Sequence, residues 1–151
     1  MIDGRGTQVD GEPEGFWLGP TLIDHVPTTS KVYIDEIFGP VLSVVRVSGY
    51  TEGVGIINAS KYGNGTAIFT NDGGAARRFE REVEVGMVGV NVPIPVPVAY
   101  HSFGGWKASI FGDAKAYGPQ GVDFFTREKA VTARWLDPSH GGLNLGFPQN
   151  G

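Results

Sequence analysis

The chain of 151 residues contains no cysteine. Its own residues therefore cannot form a disulfide, a thiolate metal site, an iron–sulfur cluster or a cysteine nucleophile. Its three histidines, His25, His101 and His140, are far apart in sequence and do not have the spacing of metal ligands with any acidic cluster. We therefore expect no metal site at these histidines. Counting residues leaves a Ser-His-Asp triad open, but no motif marks one.

Long apolar runs and excess positive charge are also lacking. No apolar run approaches the roughly 18 residues that a transmembrane helix needs, and the first residues have no apolar core of a signal peptide. The net charge is −4, from 12 basic and 16 acidic residues, without a basic stripe. These features argue against a nucleic-acid or membrane partner and lead us to expect a cytoplasmic location.

Glycine and proline are abundant, at 24 and 10 residues, and 40% of the chain is hydrophobic. The glycines have no period and lie between apolar runs, so they indicate turns in a loop-rich globular fold. The common phosphate and hydrolase motifs, G-x-G-x-x-G, the P-loop and G-x-S-x-G, are absent. Composition and short motifs alone thus identify no reaction.

Apolar patterning in the middle of the chain predicts an α/β fold. β-branched runs predict strands at 41–47, 66–70 and 87–91, the first of them buried on both faces. Helices are predicted between them, at 51–59 and from a cap at Asp72 to residue 85. This order corresponds to two βα units in an open parallel sheet with flanking helices.

The two predicted helices differ in quality. Gly53 and Gly55 weaken the first by about 1 kcal/mol each relative to alanine. In the second, Ala76, Phe79 and Val83 repeat on one face and predict its core side. Beyond the helices, alternating prolines over 93–97 predict an extended segment, residues 103–107 a turn, and residues 129–135 a last strand.

A carboxylate and an aromatic ring stand two residues apart just before the first predicted strand, at Glu36 and Phe38. Such a carboxylate can accept hydrogen bonds from ligand hydroxyls, and such a ring can pack against a flat heterocycle. The alternative is an acidic turn residue beside a core phenylalanine. The pattern alone favours this alternative, because pockets are few in any protein.

Four segments resemble the aldehyde dehydrogenase superfamily. Residues 36–41 (EIFGPV) resemble its E-x-F-G-P-V signature, and residues 62–70 (YGNGTAIFT) and 86–91 (GMVGVN) resemble its succeeding blocks. Residues 102–109 (SFGGWKAS) are similar to its F-G-G-x-K-x-S turn. The resemblance is collinear and extends from about Ile2 to Trp135. It reverses the preference at Glu36 and Phe38 in favour of a ligand site.

The segments at 92–98, 111–113 and 124–135 narrow the resemblance to the CoA-acylating methylmalonate-semialdehyde dehydrogenase branch. Members of the family are several times longer, and their dinucleotide-binding domain, nucleophilic cysteine and active-site acid precede the matched segment. The resemblance thus implies a C-terminal fragment that is inactive alone. We expect a partial catalytic domain at 1–126, an oligomerisation strand at 127–136 and a flexible tail at 137–151.

The activity implied by the resemblance is NAD-dependent oxidation of a semialdehyde to an acyl-CoA. The product is propanoyl-CoA or acetyl-CoA, with loss of CO2, as in valine or inositol catabolism, and coenzyme A is the co-substrate. By position, Glu36 is expected to bind the nicotinamide ribose, Phe38 to contact the nicotinamide and Phe103 to line the aldehyde entry. Asn91 and Lys107 are expected to have structural roles.

The resemblance also implies a homo-oligomer, a dimer or tetramer, paired through the strand at 127–136. A second hypothesis from a different class is a non-catalytic α/β interaction module derived from an aldehyde dehydrogenase. A neighbouring reading frame that carries the cysteine and the dinucleotide-binding half would favour the enzyme over the module.

Overall fold

The computed structural model describes residues 1–135 and Gly146. Within those residues the chain forms six short strands and four helices. The strands are β1 (Thr21–Ile23), β2 (Val41–Ser43), β3 (Tyr62–Gly63), β4 (Gly65–Ile68), β5 (Met87–Val90) and β6 (Trp106–Lys107). The helices are α1 (Lys31–Ile34), α2 (Tyr50–Ala59), α3 (Gly73–Glu82) and α4 (Gly118–Phe125).

The strands pair in three two-stranded sheets. β4 and β5 are parallel, with Gly65 opposite Met87, and α3 forms the crossover between them. β1 and β2 are also parallel, with Thr21 opposite Val41, and α1 lies in their connection. The chain therefore has the expected α/β character, and the predicted unit of strand, helix and parallel strand from residue 66 to 91 is confirmed.

The other predicted unit is wrong, because β2 pairs with β1 and not with β4. β2 also ends at Ser43, four residues before the predicted end of the strand, and Leu42 is 60% exposed. The expected burial on both faces is absent because β2 belongs to a two-stranded sheet whose face near Leu42 is uncovered. The apolar run correctly predicts an extended segment, but it does not specify the strand with which that segment pairs.

The core forms where α2 and α3 pack on the parallel β4–β5 pair. Val54 of α2 and Phe79 of α3 are buried with Val83 and Val85, and Ile57, Ile68 and Val88 pack against this cluster. The predicted core side of the second helix is thus confirmed, since Ala76, Phe79 and Val83 are all buried. Asp72 caps the N-terminus of α3, and its carboxylate accepts hydrogen bonds from the amides of Gly74 and Ala75, as predicted.

α3 ends at Glu82 rather than at residue 85, because a side chain from α2 forms hydrogen bonds with the backbone at this end. Asn58 donates to the carbonyl of Glu82 at 2.7 Å and accepts from the amide of Glu84 at 2.8 Å. The chain then continues extended, with Val83 and Val85 buried and Glu84 exposed between them. Val83 and Val85 thus face the core as alternate residues of an extended segment, not as residues of one helix face.

The end of the turn predicted at 103–107 forms a small antiparallel sheet with residues 62–63. Tyr62 lies opposite Lys107, and Gly63 lies opposite Trp106, so β3 and β6 bring the segments around residues 62 and 107 together. The proline segment at 93–97 lies between β5 and β6 and forms no strand, as predicted. α4 occupies a stretch for which sequence patterns predicted no element.

Residues 126–135 pair with no strand among the described residues, and Trp135 is 95% exposed. The oligomerisation strand expected at 127–136 therefore stays a prediction, since an edge-to-edge strand needs a second chain. Apart from Gly146, the tail predicted at 137–151 lies outside the described residues, as does residue 136. Among residues 1–135 and Gly146, no helix is long and apolar enough to cross a membrane.

Candidate functional site

Glu36 and Phe38 lie in the loop that joins α1 to β2. Two consecutive three-residue turns shape this loop: the amide of Gly39 donates to the carbonyl of Ile37 at 3.0 Å, and that of Val41 donates to the carbonyl of Gly39 at 2.8 Å. The first turn is centred on Phe38, and the side chain at its apex is 92% exposed. Phe38 is therefore no core residue, and the ring is open to a ligand.

Glu36 lines a cleft of about 460 Å³ between the end of α1 and the β3–β6 region. One wall consists of residues 33–36. The opposite wall contains Tyr62, Asn64 and Ser109, so it combines an aromatic ring, an amide and a hydroxyl. This is an open cleft of mixed lining, in which a carboxylate, an amide and a hydroxyl share the surface with apolar side chains such as Ile34.

The wall opposite Glu36 is held by contacts between segments that are distant in sequence. The amide of Gly63 donates to the hydroxyl oxygen of Ser109 at 3.1 Å. The Lys107 ammonium donates to the carbonyls of Asn58 and Ser60, at 2.8 and 3.3 Å, and lies 3.5 Å from the Glu84 carboxylate. Lys107 therefore anchors its turn to the end of α2, which confirms its expected structural role.

Asn91 has its expected structural role as well. It follows β5 with a φ of 57°, in the left-handed region. Its side-chain oxygen accepts from the amide of Thr70 at 2.9 Å, and its side-chain nitrogen donates to the carbonyl of Thr70 at 3.0 Å. The carboxamide thus ties Thr70, two residues beyond the end of β4, to the residue that follows β5.

Phe103 lies outside the lining of the Glu36 cleft, as does Phe38. The Phe103 side chain is half-buried and stacks on Tyr117, with ring centroids 4.7 Å apart and planes 4° from parallel. The structure thus places Glu36 and Phe38 in one loop and Phe103 in a separate aromatic pair. Sequence analysis missed Tyr117, as well as Asn64 and Ser109, although the latter two stand inside the segments that carry the family resemblance.

The carboxyl groups with shifted pKa values lie away from this cleft. The Arg5 side chain hydrogen-bonds to Asp3 and lowers the pKa of that carboxyl to about 2. The Arg46 guanidinium beside Asp24 holds the pKa of Asp24 well below its usual range. Within residues 1–135, no group of three histidine or acidic residues is arranged to hold a metal ion.

The α/β fold of this chain is that of a known class of proteins. The chain belongs to the aldehyde dehydrogenase family, whose profile matches residues 1–131. It is 60% identical over 149 residues to a malonate-semialdehyde dehydrogenase of Pseudomonas aeruginosa, a match that covers 98% of this chain and 30% of that protein.

Solved structures show the same likeness. A methylmalonate-semialdehyde dehydrogenase from Oceanimonas doudoroffii matches with a TM-score of 0.85 and 55% identity, covering 92% of this chain and 28% of that one. A Sinorhizobium meliloti relative of the methylmalonate-semialdehyde dehydrogenase type, solved in complex with NAD, matches with a TM-score of 0.86 and 49% identity. This match covers 93% of this chain and 28% of the Sinorhizobium meliloti chain. The chain thus spans less than a third of the length of the relatives it matches.

Proposed function

We propose that this chain forms the cofactor-facing and aldehyde-facing wall of an NAD-dependent, CoA-acylating semialdehyde dehydrogenase. The observation that carries the proposal is that one loop, in a segment shared with semialdehyde dehydrogenases, exposes the Phe38 ring and places Glu36 at an open cleft. The overall reaction joins malonate or methylmalonate semialdehyde, NAD and CoA, and yields acetyl-CoA or propanoyl-CoA, CO2 and NADH. The chain has no thiol, so another polypeptide segment must supply the nucleophile.

The residues of the loop fit a nicotinamide cofactor. Glu36 is exposed at the rim of the cleft, where its two oxygens can each accept a hydrogen bond from a ribose hydroxyl. Such charge-assisted bonds contribute roughly 1.5–3 kcal/mol each. The exposed Phe38 ring can cover one face of the nicotinamide. When bound, NAD supplies the hydride acceptor of the reaction.

Phe103 would line the path of the aldehyde, and CoA would resolve the thioester formed on the missing nucleophile. We further propose that residues 127–135 pair with a second subunit, because they pair with no described strand and expose apolar side chains such as Val131 and Trp135. The cytoplasmic location expected from the sequence stays a prediction.

The proposal is tested by co-expressing this chain with the complementary N-terminal portion of the Pseudomonas aeruginosa relative. CoA-dependent NADH formation from malonate and methylmalonate semialdehyde is then measured on the purified complex. Activity with CoA, and none when either polypeptide is omitted, supports the proposal. A stable complex without activity would instead favour the interaction module.

The role of Glu36 is tested in the same complex with Glu36→Gln. This change keeps the shape but removes the charge and one acceptor, so the cofactor should be placed less accurately. A displacement of about 1 Å can cost on the order of a hundredfold in rate. We expect a slowed NADH burst and weaker NAD binding with an unchanged melting temperature. Glu80→Gln, the same chemical change on the exposed side of α3, is the matched control.

Phe38→Ala should likewise impair NAD binding in the complex. In the 151-residue chain its melting temperature should stay near that of the wild type, because a ring that is 92% exposed there leaves no cavity when it is removed. If Glu36→Gln leaves NAD affinity and the burst untouched in an active complex, Glu36 does not bind the cofactor. It is then an acidic residue at a turn.

A further inference from the structure

Phe103 and Tyr117 form an aromatic pair that joins the turn after the proline segment to the start of α4. The two rings are 4° from parallel with centroids 4.7 Å apart, which is an offset stack. Tyr117 is 50% exposed, so the pair is accessible at the surface of this chain. One face of the Phe103 ring is therefore covered, and only the opposite face and the ring edge can meet a ligand.

Hydrogen bonds join the chain segments that carry the two rings, both before and after each aromatic residue. The amide of Gly118 donates to the carbonyl of Ala99 at 3.1 Å, and the amide of Gln120 donates to the hydroxyl oxygen of Ser102 at 3.1 Å. On the other side of Tyr117, the Lys115 ammonium donates to the carbonyl of Gly105 at 2.8 Å. The segment around Tyr117 is thus tied to the segment around Phe103 both before and after each ring.

Gly118 makes this approach possible. Its φ is 66°, and a Cβ at this position would collide with the backbone nitrogen of Ser102. The backbone after Tyr117 therefore lies directly against the backbone before Phe103. Because both ends are fixed, the backbone of Tyr117 cannot move away from Phe103 without breaking these contacts, and it holds the Tyr117 side chain beside the Phe103 ring.

We propose that Tyr117 is a positioning residue that fixes the orientation of the Phe103 ring toward the aldehyde. The proposal rests on the proposed function, in which Phe103 lines the aldehyde entry. Without the Tyr117 ring, Phe103 can rotate toward the vacated space, and its free face no longer bounds the entry. An uncharged contact of this kind acts on the bound aldehyde and its transition state alike, so its loss raises KM and leaves kcat nearly unchanged.

The test uses Tyr117→Leu, Tyr117→Phe and the control Tyr100→Leu in the complex of this chain with the complementary portion of the Pseudomonas aeruginosa relative. Tyr100 is an exposed neighbour whose ring contacts His101 and not Phe103. We expect Tyr117→Leu to raise the KM for the semialdehyde about three- to tenfold with less than about a twofold change in kcat. Tyr117→Phe, which keeps the stack, and Tyr100→Leu should behave as the wild type.

A second measurement follows the ring itself, by NMR of the Phe103 ring protons in the 151-residue chain. The stacked Tyr117 ring should shift these protons upfield, and the shift should disappear in Tyr117→Leu and persist in Tyr117→Phe. An active complex whose KM is unmoved by Tyr117→Leu overturns the proposal and leaves the proposed function standing. The proposal is also overturned if Tyr117→Phe, which keeps the stacked ring, raises the KM as much as Tyr117→Leu does.

An inactive complex overturns the proposed function, and the NMR result then decides the positioning role by itself. An upfield shift lost in Tyr117→Leu and kept in Tyr117→Phe supports the orientation of Phe103 by Tyr117. Phe103 protons at unshifted positions in the wild-type chain overturn it, whatever the activity.

Discussion

Asn91 offers a direct test of how the parallel β4–β5 pair is held together at its carboxyl ends. The residue combines a left-handed backbone with two side-chain hydrogen bonds to Thr70, and its own amide donates to the carbonyl of Ile68 at 2.8 Å. Asn91→Ala removes both side-chain bonds and leaves a Cβ in a conformation that alanine rarely adopts. Asn91→Gly removes the same bonds and leaves the backbone unstrained.

Comparing the two variants separates the free energy of the side-chain hydrogen bonds from that of the backbone strain. Each hydrogen bond contributes about 0.5–1 kcal/mol at this exposed site, and the left-handed conformation costs alanine roughly 1 kcal/mol more than glycine. We therefore expect losses of about 2–3 kcal/mol for Asn91→Ala and about 1–2 kcal/mol for Asn91→Gly. Since about 1.4 kcal/mol is a factor of ten, this corresponds to roughly 30- to 150-fold and 5- to 30-fold.

Amide hydrogen exchange of the peptides that cover β4 and β5 measures these factors, because it reports the local opening of paired strands. Asn71→Ala changes an exposed asparagine in the adjoining turn and is the control, with no expected change. Wild-type exchange in both Asn91 variants would show that the carboxamide does not hold the strand ends. Equal acceleration in the two would show that the left-handed backbone carries no strain.

The remaining predictions concern activity, backbone space and pH. The purified 151-residue chain should form no NADH from a semialdehyde, NAD and CoA, since it has no thiol; formation above a blank without protein contradicts this. Urea titration should show Gly55→Ala stabilised by about 1 kcal/mol, because this helix position is open. Gly86→Ala should be destabilised, because its Cβ would overlap the Gly104 carbonyl oxygen; the opposite order contradicts the packing. The lowered pKa of Asp24 beside Arg46 means that their pairing stabilises the fold above a pH of about 3.8 and is lost on acidification. Asp24→Asn should therefore lower stability at neutral pH and weaken its acid dependence, as melting at several pH values will show.

The site could be predicted in part. The motif around Glu36 and Phe38 indicated a ligand-facing turn, and the exposed Phe38 ring agrees with it. The opposite wall of the cleft could not be derived from patterning, because Ser109 reaches Gly63 from 46 residues away. The stack of Tyr117 on Phe103 was missed for a related reason: two aromatic residues in a loop-rich stretch have no period that would show their contact.

Features that depend on neighbours within about one helical turn follow from the order of residues alone. These include the Asp72 cap, the inward residues Ala76 and Phe79 of α3, and the extended runs that became β4 and β5. Local propensity and apolar periodicity act over such distances. Which strands pair, and where α3 ends, depend instead on packing between segments that are distant in sequence. A parallel strand can accept either of two neighbours, and the last groups of α3 are satisfied by Asn58, a side chain brought there by the packing of α2.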